Sequence, residues 1–218
     1  MNKTILIGVP SYSGYIPVPT VQSLLQLHKP TQCAFLTVER QRIDKVRSYM
    51  AMECLKNGFD YLMMIDDDNP VPADTLELML EDDKDVVIAP ILSRNPNEQG
   101  KFDLCAYYKE VRDVKGSPLN YYNHIEKFKD ASPLHEIDTG GTGCILIKRK
   151  VLEEINKKYA EYIFEFGDTD VNGQRRTMSE DVEFCERAKD LGFTIWLDDR
   201  IRPLHLINNN WNQWQPTT

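Results

Sequence analysis

Three consecutive carboxylates, Asp66, Asp67 and Asp68, directly follow the apolar run Tyr61-Leu-Met-Met-Ile65, and Asn69-Pro70 ends that run at once. A short apolar run closed by such breakers reads as a buried strand. Carboxylates crowded at the end of a buried strand repel one another, and a cation between them relieves the repulsion. Hard divalent cations take oxygen ligands, and magnesium-type sites use one or two carboxylates with substrate phosphates completing the shell. The triplet therefore points to a metal–diphosphate site at the carboxyl end of a strand. The competing account, a solvated acidic turn before a helix, leaves unexplained why the charges abut buried chain.

Other residues could join such a site. Ser179-Glu180-Asp181 opens a helical stretch; the serine suits the N-cap, and acids in a first turn suit the helix dipole. Gly140-Gly141-Thr142-Gly143 precedes an apolar segment. Glycines there let backbone approach a ligand closely, and a plain tight turn explains them equally well. Asp138 is a candidate contact for a sugar hydroxyl. In open α/β sheets a nucleotide lies at the carboxyl ends of the strands. That places Pro10, Ser11 and Tyr12 after the first strand and Glu39 after the second as nucleotide contacts. Arg47 is a candidate for the base or the phosphates, since a guanidinium suits phosphate and carbonyl oxygens. Arg94, after the fourth strand, is a candidate for the donor or acceptor side. Each of these is also compatible with an ordinary surface residue.

The elements that must position these residues follow from periodicity. Thr4–Val9, Cys33–Val38, Tyr61–Ile65 and Val86–Ala89 read as strands, the first ended by Pro10. Val18–Leu27, the face Ile43, Val46, Met50, Cys54 and Leu55, and Leu76–Leu80 read as helices, the second stopping near Gly58. Strands alternating with helices imply a parallel sheet covered on both faces. The middle, Lys101–Val111 and Tyr121–Lys129, reads as an antiparallel excursion or loops. Gly143–Ile147 is a buried strand and Val151–Tyr159 a helix. Thr169–Thr177 reads as a polar loop, with Gly167–Thr177 and its Arg175 and Arg176 suited to a lid over a diphosphate. Glu180–Leu191 is a helix closed by Gly192, and Phe193–Leu197 is a last strand. The tail Asn208–Trp214 places Trp211 and Trp214 either against the domain or against a sugar or base.

The 218 residues suit one domain, 41% apolar and with enough core to bury. No apolar stretch approaches the ~20 residues of a membrane span, and no signal-peptide pattern opens the chain. Five well-separated cysteines suit reduced core thiols in a cytoplasmic protein. A net charge of −8 disfavours non-specific nucleic-acid binding, and an anionic substrate would need local help from a metal or arginines.

In order along the chain, Gly8-Val-Pro-Ser11, Arg47, Ile65-Asp-Asp-Asp68, Gly140-Gly-Thr-Gly-Cys144, Ser179-Glu-Asp-Val-Glu-Phe-Cys185 and His205 resemble the nucleotide-sugar-dependent glycosyltransferases of the GT-A type, close to the inverting family 2. The resemblance covers most of the chain. It implies a single α/β, Rossmann-like GT-A domain over 1–218, with a mostly parallel central sheet flanked by helices and a small antiparallel excursion. Residues 1–100 would form the nucleotide-binding half and 101–218 the acceptor and catalytic half. The implied reaction moves a sugar from a nucleoside-diphosphate sugar to an acceptor hydroxyl with Mn²⁺ or Mg²⁺. The resemblance makes Asp68 and His205 metal ligands. Asp66 would contact ribose or sugar and join the metal set, with Asp67 assisting. Asp181 would be the general base, Glu180 its catalytic neighbour or an acceptor contact, and Gly141 would lie beside the donor. The acceptor class stays open among glycan, lipid-linked sugar, protein side chain and modified nucleobase. Two alternatives compete. A sugar-phosphate nucleotidyltransferase would usually carry a basic residue in its glycine-rich loop, which Gly8–Gly14 lacks. A non-catalytic sugar-binding relative should have lost one of Asp68, Asp181 and His205.

Overall fold

The computed structural model describes residues 3–114, 116–171, 174–207 and 210–215. The first part alternates as the sequence pattern requires: β1 (Thr4–Ser11), α1 (Val18–Gln26), β2 (Gln32–Glu39), α2 (Ile43–Asn57), β3 (Tyr61–Ile65), α3 (Thr75–Glu81) and β4 (Val86–Ile88). The chain then forms an antiparallel hairpin, β5 (Ala106–Val114) with β6 (Ser117–His124). Next come β7 (Leu134–Ile137), the short β8 (Thr139–Gly140) that joins β5, β9 (Cys144–Lys148) and α4 (Arg149–Tyr159). A second hairpin, β10 (Gly167–Val171) with β11 (Gln174–Met178), precedes α5 (Glu180–Asp190) and β12 (Ile195–Asp198). A third, β13 (Leu204–Ile207) with β14 (Asn210–Gln213), closes the described chain.

One seven-stranded sheet, in the order β2-β1-β3-β9-β4-β12-β7, takes strands from both ends of the sequence. β2, β1, β3, β4 and β12 run one way, whereas β9 and β7 run the other. The fold is thus mixed α/β, with a mostly parallel sheet and a smaller antiparallel one, β6-β5-β8. The reversal of β9 was not legible in its apolar run, which is the same for either direction.

The period-2 alternation of β3 sorts the core onto two faces. Leu62 and Met64 pack with Val46 and Met50 of α2, Leu152 of α4 and Phe184 of α5. Tyr61, Met63 and Ile65 pack with Leu24 of α1 and with Leu76 and Met79 of α3. α2 ends where expected, at Gly58, whose φ of 76° is the left-handed conformation glycine tolerates best.

Several expectations need correction. β1 continues through Pro10 to Ser11, because the pairing with β3 stops at Gly8 and only β2 remains beside the proline. The polar stretch 169–177 is a hairpin with alternating cross-strand pairs rather than an irregular loop; residues 172 and 173 and the side chains of Arg175 and Arg176 lie outside the described residues. His135, assigned no chemical role from the sequence, is buried on β7 and stacks on Phe128 with ring centroids 3.7 Å apart. The tail, expected either against the domain or against a sugar or base, pairs with β13 as a strand; residues 208 and 209 and the Trp211 side chain are not among those described. The five cysteines are all free thiols. Among the described residues no helix is long and apolar enough to cross a membrane.

Two contacts fix α2 and α5 relative to each other. Ser48 Oγ donates to the carbonyl of Phe164 (2.7 Å) and accepts from its amide (2.9 Å). Phe164 in turn stacks on Phe184 of α5, with centroids 4.4 Å apart and planes within 9°. Both rings are fully buried. Phe184→Ala is expected to lower unfolding free energy by about 3–5 kcal/mol, measured by urea denaturation; a loss below about 1 kcal/mol would show that the stack is not a packing anchor.

Candidate active site

The carboxyl edge of the sheet collects the acidic residues. Asp66–Asp68 leave the end of β3. Ser11 and Glu39 are register partners at the ends of β1 and β2. Because β9 is antiparallel, the turn that precedes it, Gly140–Gly143, arrives at this same edge. The amide of Asp66 donates to the carbonyl of Gly143 (2.8 Å). A Cβ on Gly143 would lie 2.4 Å from Oδ1 of Asn69, so the close approach of the two turns demands glycine there. The N-terminus of α5 completes the set, with the Ser179 side chain accepting from the amide of Val182 as its N-cap.

Arg47 lies beneath these groups, 2% exposed. Its Nη2 donates to both oxygens of Asp66 (2.9 Å each), and its Nη1 donates to Glu180 Oε1 (2.7 Å) and to Asp181 Oδ1. Nε is buried and has no hydrogen-bond partner among the described residues. One guanidinium therefore gathers residues 66, 180 and 181 from two distant parts of the sequence. This corrects the expectation for Arg47. Its donors face protein carboxylates, so it positions acids instead of gripping a base or phosphate. Thr142, not singled out from the sequence beyond its place in the glycine-rich turn, also donates to Asp181 Oδ1. Asp66 and Asp181 each keep a quarter of their side-chain surface exposed.

One positive charge faces three potential negative ones, and the carboxyl groups respond. Burial pushes Asp66 above the usual carboxylate range; Arg47 opposes the shift, while Asp68 and Asp181 reinforce it. Glu180 is pushed up to about 7, first by burial and then by the charge of Asp181. Burial also raises Asp67 against the opposing Ser11 hydroxyl. Asp68 behaves differently. Burial again acts upward, but the His205 ring and Arg94 outweigh it and hold the carboxyl below its ordinary value.

Asp68 and His205 meet because β13 runs beside the acidic turn. The amides of Leu204 and Leu206 donate to the carbonyls of Pro70 (2.9 Å) and Asp68 (3.1 Å). His205 Nδ1 is 2.8 Å from the Leu92 carbonyl, so Nδ1 carries a proton there. Nε2 then faces Asp68 Oδ2 at 3.5 Å. The two atoms form a mixed N/O donor pair that a divalent cation would take in place of a proton between them, with the other ring nitrogen anchored as metal-binding histidines usually are. Arg94, 70% exposed, reaches the same oxygen at 2.6 Å. Among the described residues no three His, Cys, Asp or Glu side chains surround a common position, so any metal would take its remaining ligands from substrate or water. Asp66, expected to join the metal set, directs both oxygens to Arg47.

The remaining candidates are distributed around this centre. Pro10 and Ser11 are buried at the end of β1, and Tyr12 is 82% exposed beyond them, with Tyr15, which the sequence reading passed over, 75% exposed nearby. The Glu39 carboxylate lies against Gly14, where a Cβ would approach Oε2 to 2.5 Å. The Gly141 amide is used by the carbonyl of Cys105 (2.7 Å). Asp138 is drawn away from the centre: it accepts from the Lys109 amide (2.8 Å) and pairs with Lys189. Its expected sugar contact is therefore not supported. Cys105 is another residue the sequence did not flag; burial and the Asp181 charge push its thiol up to about 11, so it is not a nucleophile at neutral pH.

No protein family and no characterised protein matches the chain in sequence. Among solved structures, A197 from STIV superposes over 99% of this chain and 95% of its own, with 16% identity and a TM-score of 0.58, which establishes a common fold. Weaker likenesses of general architecture include UDP-glucose pyrophosphorylase complexed with UDP-glucose (98% and 93% covered, 8% identity, TM-score 0.46) and S. aureus TarS 1-349 (90% and 60% covered, 14% identity, TM-score 0.43).

Upward shifts at Asp66 and Glu180 mean that the folded chain holds protons that the unfolded chain releases. Their contribution to stability is complete below the unfolded carboxyl pKa and is lost as pH rises through the folded one. For Glu180 the window runs from its ordinary 4.5 to about 7. In metal-free buffer, Glu180→Gln should flatten the fall in melting temperature between about pH 5 and pH 8 and should melt above the parent at the upper end. An unchanged pH slope would show that Glu180 ionises as an ordinary surface acid.

Proposed function

We propose that this chain is a metal-dependent glycosyltransferase that moves a sugar from a nucleoside-diphosphate sugar to an acceptor hydroxyl with inversion. The observation that carries the reading is the convergence on Arg47 of the first acid of the triplet, Asp66, and the acids of α5, with the Asp68–His205 pair alongside. A structural acidic turn gives no reason for residues more than a hundred positions apart to share one buried guanidinium.

Each residue then has a physical role. Asp68 and His205 Nε2 would hold a divalent cation, which supplies charge neutralisation to the departing diphosphate. Asp181 accepts the proton of the attacking hydroxyl as oxygen bonds to the anomeric carbon and the bond to the diphosphate breaks. Arg47 and Thr142 both donate to Oδ1 of Asp181, which fixes the carboxylate and leaves Oδ2 to take the proton. Such positioning matters because a general base must lie within hydrogen-bond reach of the proton it removes. Ser11, Tyr12, Glu39 and Asp67 border the edge where the nucleotide would lie, with the exposed Tyr12 ring available to the base. A sugar-phosphate nucleotidyltransferase is the second reading, and the absence of lysine and arginine from Gly8–Gly14 counts against it.

Incubation with a panel of nucleotide sugars and Mn²⁺ should release nucleoside diphosphate from one of them. Release of pyrophosphate from a nucleoside triphosphate and a sugar phosphate would instead establish the second reading. Asp181→Asn is expected to keep donor affinity and to lower transfer by about 10²–10⁴-fold; undiminished transfer removes Asp181 from the mechanism. Asp68→Ala and His205→Ala are each expected to abolish the Mn²⁺ dependence of donor binding in calorimetry. Equal donor affinity with and without Mn²⁺ in the parent would refute the metal role.

A further inference from the structure

The acidic centre accounts for a donor and a base but not for what holds the acceptor. Beside it lies a cavity of about 710 Å³, bounded by the segment after β4, the end of β6 and the end of β14. A second cavity of about 440 Å³ shares Leu104, Ile125, Glu126 and Trp214 with the first. Together they form one trough with the Trp214 indole along it. Its inner end is lined by Leu92, whose carbonyl accepts from His205 Nδ1. Leu92 therefore links the lining of the trough to the His205 ring of the acidic centre.

We propose that this trough binds a neutral oligosaccharide, and that the acceptor of the reaction is a glycan. The inference rests on the glycosyltransferase reading for the word acceptor, but the binding itself does not. Three features carry it. The first is size: a single sugar would leave most of two adjoining cavities empty, whereas several residues of a chain fill them. The second is the lining. Trp214 is half-buried and held in one orientation, edge-on to Phe128 at 5.8 Å and with the Arg202 guanidinium 5.9 Å from its ring. A fixed indole offers a sugar face an apolar surface at little entropic cost. Beside it the Gln213 amide donates to the Arg202 carbonyl (2.6 Å) and Gln215 donates to Gln213 (3.1 Å). These bonds orient two amides that keep further donors and acceptors for hydroxyl groups.

The third feature is charge. The two cavities are lined by Lys101, Lys127 and Lys129 against Asp103, Glu126, Asp130 and Asp199, and the Arg202 guanidinium beside Trp214 donates to Gln215 (3.3 Å), which leaves charges of the two signs near balance. A trough built for a nucleic acid or another polyanion needs a surplus of positive charge to neutralise phosphates. A near-balanced, amide-rich lining with an aromatic suits a neutral polyhydroxyl chain.

The test needs neither donor nor metal. Maltohexaose, cellohexaose, chitohexaose and mannohexaose are titrated into the parent and each variant in a calorimeter, with indole fluorescence of the parent followed alongside. One of them should bind with quenching. Trp214→Ala should weaken that affinity by at least about tenfold. Trp214→Phe should retain most of it, which separates loss of the ring from loss of folding. Gln215→Ala should weaken it by a smaller factor. Absence of binding by all four, in a sample that hydrolyses a nucleotide sugar with Mn²⁺, overturns the trough and leaves the transfer reading standing. Binding that Trp214→Ala does not reduce also overturns it, as does preference for a single-stranded DNA decamer over every sugar. Oligosaccharide binding by a sample with no transfer or donor hydrolysis upholds the trough and refutes the transfer reading.

Discussion

The candidate site depends on one buried guanidinium. Arg47 is all but removed from water and faces Asp66, Glu180 and Asp181 at once. A buried charge without partners is costly, and breaking such a pair by deleting one side typically destabilises by about 3–5 kcal/mol. Here the imbalance runs the other way, with more acid than base, and the proton affinities of Asp66 and Glu180 are raised. Arg47 also ties the organisation of the site to the seating of α2, whose position is set by Ser48, Phe164 and Phe184 on the same face of the sheet.

The division of labour within the acidic triplet follows from direction along the chain. Asp66 points toward Arg47 and α5, whereas Asp68 points toward His205 and Arg94. In extended chain residues 66 and 68 would share a face; the chain instead turns here, with the Asn69 amide donating to the Asp66 carbonyl (3.0 Å), so one short run serves two centres. The first is a cluster of carboxyl groups gathered on one buried guanidinium. The second is an open oxygen–nitrogen pair whose carboxyl is held in its charged form. A carboxylate oxygen beside an anchored imidazole nitrogen is a donor pair of the kind divalent ions use.

The reversal of β9 is what closes the site. In an all-parallel sheet the turn before a central strand lies at the amino edge, away from the ligand side. Running antiparallel between β3 and β4, β9 instead delivers Thr142 and Gly143 to the ends of those strands. Thr142 then reaches Asp181, and Gly143 allows the contact with Asn69. The third hairpin has an equivalent effect from the other side, carrying His205 to Asp68 on one strand and Trp214 to the trough just beyond the other.

What the sequence determined by itself was local. The apolar run Tyr61–Ile65 and its acidic terminus, the serine that caps α5, the glycine that ends α2 and the alternation of the first strands and helices are each written in adjacent residues, because hydrogen-bond ladders, caps and side-chain periodicity act over a few positions. Tertiary structure decided the rest. Apolar strands carry no mark of direction, so β9 could be recognised as a strand but not as a reversed one. A stretch as polar as residues 169–177 lacks the core-facing alternation that would reveal its hairpin. The role of Arg47 was equally hidden: a guanidinium looks the same in sequence whether it will meet a phosphate or three carboxylates. Only the packing of α2 beneath the sheet's carboxyl edge, which buries that charge and leaves it no water, selects its partners.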